Sequence, residues 1–83
     1  MEKYPDLKSS PLSQELHSNG KSVKVEIYEG DPNKWILDVV DQYDNSTIWN
    51  DQFLSDQAAL DEVKKTIREE GIESLIGSPP SIN

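Results

Sequence analysis

Cysteine is absent from this chain, which excludes both a disulfide framework and thiolate metal chemistry. No segment approaches the roughly 18 apolar residues of a membrane-spanning helix. The opening residues, MEKYPDLKSSPLS, hold no apolar run of the length an export signal needs. These absences predict a soluble, unexported, cytoplasmic protein. Asn45-Ser46-Thr47 matches the glycosylation pattern, but without export it reads as a turn.

Patterns that carry chemistry are missing as well. There is no GxxxxGK, GxGxxG or HExxH. The single histidine, His17, has no Ser or Asp partner visible in the sequence, and a solvated hairpin histidine is the simpler reading. A chain of 83 residues buries only about 60 to 65 % of the surface its unfolded form exposes, which leaves little room for an enclosed catalytic pocket. The expectation is a non-enzyme without cofactor or metal.

Positive charge is missing locally. From Trp35 to Val63 there are seven acidic side chains and no Lys or Arg, within a chain whose 16 acids and eight bases sum to −8. That balance disfavours direct binding to nucleic acid or to an anionic membrane. Four of the seven acids have local roles. Asp44 sits in a turn, Asp56 favours a helix start, and Asp61 and Glu62 precede Lys64 and Lys65 by a helical turn. Asp38, Asp41 and Asp51 remain. A calcium loop starting at Asp41 fails, because its third, sixth and twelfth positions are Tyr43, Ser46 and Gln52.

What is present points to an α+β domain. Asn19-Gly20 between two alternating runs signals a two-residue hairpin, with Ser18 facing Lys21, Leu16 facing Val23 and Leu12 facing Ile27. Gly30 to Asn33 forms the next turn, and the run from Lys34 to Asp41 is apolar on both parities. Placing Tyr28 against Lys34 pairs Ile27 with Trp35, Val25 with Leu37 and Val23 with Val39, and sets Lys24 beside Asp38 and Lys21 beside Asp41. A two-residue loop at Asp44-Asn45 sends Ile48 to the core, Trp49 to the opposite face beside Val40, and Asp51 opposite Asp38. A three-residue loop reverses these faces. Ser55 as N-cap, an apolar stripe of Ala59, Leu60, Val63 and Ile67, and Gly71 beyond the end define a helix with a Schellman-type stop between Ile67 and Ile72. Leu75 and Ile76 then fold back.

The predicted architecture is a four-stranded antiparallel β-meander with one C-terminal α-helix packed on one face. Residues 1–11 are expected to form a flexible arm, 12–76 a single domain and 77–83 a disordered tail. The face away from the helix should carry Tyr28, Ile36, Val40 and Trp49 among charged neighbours, with Asp38 and Asp51 as its rim. Either these six residues form a protein-binding surface, for a partner or a second copy, or Tyr4, Leu7 or the Leu75-Ile76 segment folds across them. An acidic mimic of nucleic acid, inhibiting a DNA- or RNA-binding protein, is the alternative. It gains weight if Asp38, Asp41, Asp51, Asp56 and Asp61 share one continuous surface.

The run WILDVVDQYDNSTIWNDQFLSDQAALDEVKKTIREEGIESLIG, residues 35–77, resembles small bacterial proteins of uncharacterised function, sometimes labelled plasmid-related, that share a Trp-bearing strand pair followed by such a helix. The resemblance implies a bacterial cytoplasmic source and no activity, cofactor or site residue.

Overall fold

A computed structural model describes residues 8–77. They form an open four-stranded antiparallel sheet in the order β1 (Gln14–Ser18), β2 (Lys21–Glu29), β3 (Trp35–Val40) and β4 (Ser46–Ile48), followed by helix α1 (Asp56–Glu70) and a 3-10 helix, Ile72–Leu75. This is the predicted α+β meander. Side chains alternate between faces along a strand, so Val23, Val25 and Ile27 of β2 and Leu37 and Val39 of β3 all face one side. There they meet Ala59, Leu60 and Val63 of α1, and Ile72 and Leu75 of the 3-10 helix, in one buried cluster.

The first hairpin has the predicted register. Asn19 and Gly20 both take positive φ, Ser18 pairs with Lys21 and Leu16 with Val23. Regular pairing stops at Gln14, short of the expected Leu12–Ile27 pair. Instead the Ser13 hydroxyl donates to the carbonyl of Ile27 and accepts from its N–H, so a side chain replaces a backbone partner. Beyond this irregularity Ser9 bridges to Tyr28, Glu29 N–H donates to the carbonyl of Lys8, and buried Ser10 donates to Asp56 Oδ2 at 2.7 Å. Of the arm expected over 1–11, residues 8–10 therefore extend the sheet edge, and residues 1–7 lie outside the described residues. Of the expected tail, only Gly77 is described.

The β2–β3 register differs from the expectation by two residues. Ile27 pairs with Leu37 and Val25 with Val39, because the turn is a three-residue loop, Asp31 to Asn33, closed by Gly30 N–H on the Lys34 carbonyl. Asn33 supplies the left-handed residue that such a loop requires, at φ 64. A slip of two preserves the faces and changes the neighbours. Glu26, not Lys24, stands opposite Asp38, while Lys21 lies 3.9 Å from Glu73 rather than beside Asp41.

The β3–β4 register reverses faces. Asp41 N–H donates to the carbonyl of Asn45 around a second three-residue loop, Gln42 to Asp44, whose last residue has φ 66. Ile48 consequently opposes Asp38, and Trp49 N–H donates to Leu37 O. After a bend the chain returns to the sheet, where Phe53 and Trp35 exchange two hydrogen bonds of 2.8 Å.

Helix α1 starts where its chemistry predicts. Ser55 has extended dihedrals, and its hydroxyl accepts from Ala58 N–H. Its end differs from the expected Schellman geometry. Gly71 has the positive φ but a ψ of 150°, so the chain turns away, with Gly71 N–H donating to Ile67 O. That departure starts the 3-10 helix and carries Ile72 and Leu75 into the core.

Leu37→Ala should lower unfolding stability by about 3 kcal/mol and Ser55→Ala by about 1 kcal/mol, measured by urea denaturation. Ile36→Ala, on the other face and half-buried, should cost clearly less than Leu37→Ala. Equal losses at positions 36 and 37 would contradict this assignment of faces.

Candidate functional site

The open face is the side of the sheet that α1 leaves uncovered. Strand alternation places Lys24, Glu26 and Tyr28 of β2, Ile36, Asp38 and Val40 of β3, and Ser46 and Ile48 of β4 there. Four of the six predicted contact residues belong to this set: Tyr28, Ile36, Asp38 and Val40. Their exposures are unequal. Ile36 and Val40 are half-buried, whereas Tyr28 is only 7 % exposed and Asp38 is fully buried. Ser46 Oγ donates to Asp38 Oδ1 at 2.5 Å, so this carboxylate, although on the open face, is buried and bonded and does not form a charged rim.

The other two are displaced. Trp49 faces the helix side and packs half-buried against the core cluster, which corrects its expected place on the open face. The physical cause is the extra loop residue. One residue more in the turn inverts the parity of everything after it. Asp51 stays exposed, but lies in the bend beyond β4 rather than opposite Asp38. The same inversion brings Ile48 onto the open face with 50 % of its surface exposed.

At the end of this face, Glu15, Ser22, Lys24, Val40, Gln42 and Asp44 line a depression of about 250 Å³. It is open and mostly polar, unlike the concave apolar cavities that bury small ligands. His17 lies 3.7 Å from Glu15 in an exposed pair. Among the described residues no group of three or more His, Asp or Glu side chains is arranged to hold a metal ion. Among them, too, no helix is long and apolar enough to cross a membrane.

The acids are distributed over different environments. Asp44, Asp51 and Asp61 are exposed, and Asp61 accepts from Gln57 one helical turn back. Asp56 is half-buried and bonded to Ser10, and Asp38 is interior. Asp41, 5 % exposed, has the most elaborate surroundings. Its Oδ1 accepts from the N–H groups of Tyr43 and Asn45, each at 2.8 Å, and its Oδ2 from Gly77 N–H at 2.6 Å and Asn45 Nδ2 at 3.0 Å. Sequence reasoning missed this role. The available signal was an Asp at the mouth of a polar turn, where a short carboxylate can bond the N–H groups that follow it.

Burial alone raises the pKa of Asp41, but the hydrogen bonds from Gly77, Asn45 and Tyr43 outweigh it and hold the carboxyl below its ordinary value. A folded value below the unfolded one means that the stabilisation is fully present above the unfolded carboxylate pKa, and is lost as pH falls through the folded value.

No protein-family model, curated protein or solved structure matches this chain.

Asp41→Asn should therefore cost about 3 kcal/mol at neutral pH, since it removes charge-assisted bonds in a buried place. The gap from wild type should begin to narrow as pH falls below the ordinary carboxylate value of about 4, and close only below the lowered folded value, where the wild-type carboxyl also becomes neutral. Urea midpoints measured across that range check both statements. A gap independent of pH would remove the ionised carboxylate from the explanation.

Proposed function

We propose that this chain is a protein-binding or adaptor module that meets its partner through the β3–β4 part of the open face. Ile48, Val40 and Ile36 are its apolar anchors, with Lys24 and Glu26 beside them. The observation that carries this reading is Ile48, a large aliphatic side chain half exposed on a sheet face turned away from the helix. Aliphatic side chains within a charged surround are the composition of a protein contact surface. The partner is another protein or a second copy, in a bacterial cytoplasm, and no catalytic step is assigned to the module.

The acidic-mimic reading has less to draw on. Of the five acids whose shared surface would add weight to it, Asp38 and Asp41 are buried and Asp56 is engaged with Ser10.

Capture experiments at low and high salt should compare wild type with Ile48→Ser and with Leu54→Ser, a control 81 % exposed in the bend before α1 and outside the four strands. Ile48→Ser should lose a salt-resistant partner, or dissociate a dimer seen by sedimentation, while Leu54→Ser keeps it. Both should stay within about 0.5 kcal/mol of wild-type stability. A partner retained by Ile48→Ser rejects this surface. A partner released by salt and indifferent to residue 48 favours the acidic mimic.

A further inference from the structure

The side chain of Asp41 touches two parts of the chain that are distant in sequence. On one side it organises the β3–β4 turn: Oδ1 takes the N–H groups of Tyr43 and Asn45, and the backbone of Asp41 bonds that of Asn45 at 2.9 Å. On the other, Oδ2 takes the N–H of Gly77, 36 residues on, at 2.6 Å. Asn45 completes the junction, because its Nδ2 shares Oδ2 with Gly77. The packing at 77 is close, and the neighbour is the end of the Asn45 side chain. A Cβ there would lie 2.8 Å from Asn45 Nδ2 and 3.1 Å from Cγ.

We propose that Asp41 is a latch between the segment that follows the 3-10 helix and the β3–β4 turn, so that displacing the chain at Gly77 loosens the turn and with it the placement of β4. The reasons are electrostatic and steric. Both loads hang on one buried carboxylate whose orientation satisfies them together, and a bond to a charged group is the stronger kind. When the Gly77 bond is lost, the carboxylate keeps only the turn's donors and gains room to rotate away from them. The turn has a left-handed residue, Asp44, and a parity that decides which of Ile48 and Trp49 reaches the open face. Anything that seizes or releases the chain beyond Ile76 therefore acts on the end of the sheet that presents Ile48. That consequence for binding rests on the proposed function. The latch does not.

The test is amide hydrogen exchange on the full chain carrying Gly77→Pro, which deletes the single N–H donated to Oδ2. Ile76 has φ −108° and ψ 122°, already the extended conformation that a residue before proline prefers. Gly77→Ala is the steric control, since it sets a Cβ against Asn45 as proline does but keeps the N–H. Exchange at Tyr43 and Asn45 should accelerate about tenfold or more relative to core amides such as Leu37 and Val39, the scale of one charge-assisted hydrogen bond. Asp41→Asn should produce the same pattern at the turn. If the turn amides exchange as in wild type, speed up only in step with the core, or speed up as much in Gly77→Ala as in Gly77→Pro, the latch is overturned and the segment at Gly77 merely rests against the turn. The measurement needs no partner, so its failure is distinct from failure of the binding surface at Ile48.

Discussion

Loop length is the constraint on which this fold depends. Both later hairpins close through three residues ending in a left-handed one, Asn33 at φ 64 and Asp44 at φ 66. Each loop sets the register of every pair after it. In the first case the change is by two, which preserves the faces and exchanges partners, so that Glu26 rather than Lys24 opposes Asp38. In the second it is odd, and a whole strand is turned over. The identity of the exposed aliphatic, Ile48 and not Trp49, follows from that odd shift, in which Val40 pairs with Ser46 instead of Trp49.

The acidity from Trp35 to Val63 has no single explanation. Asp56 joins the start of α1 to the sheet edge through Ser10, Asp61 accepts from the helix surface, and Asp38 is buried against Ser46. Asp41 gathers four donors, three from a turn and one from Gly77. Buried carboxylates are tolerated only where donors surround them. Thus part of what resembles an acidic surface in the sequence is internal wiring, and the solvent-facing remainder, Asp44, Asp51 and Asp61, is spread over a loop, a bend and a helix.

Much of the architecture was legible because local signals agreed with one another. Asn19-Gly20 permits the positive φ of the first turn, Ser55 caps α1, and Ala59, Leu60 and Val63 recur on one stripe that the core buries. The faces of β2 could be read because its apolar residues alternate with polar ones. β3 could not be read that way. Trp35, Ile36, Leu37, Val39 and Val40 occupy both parities, so hydrophobic pattern does not say which face is the core. The turn after β3 then had to decide, and its sequence, Asp41 to Asn45, contains no glycine to mark the left-handed position.

By itself the sequence determined the elements, their order and the face of β2 that meets the helix, since turn chemistry, capping and periodicity act between residues near in the chain. It also determined the excess of acid over base. Only the tertiary structure decided which side chains reach the open face, and that Asp41 is a junction between the β3–β4 turn and Gly77. Those facts depend on strand register and on a hydrogen bond between residues 36 positions apart, and no local pattern encodes either.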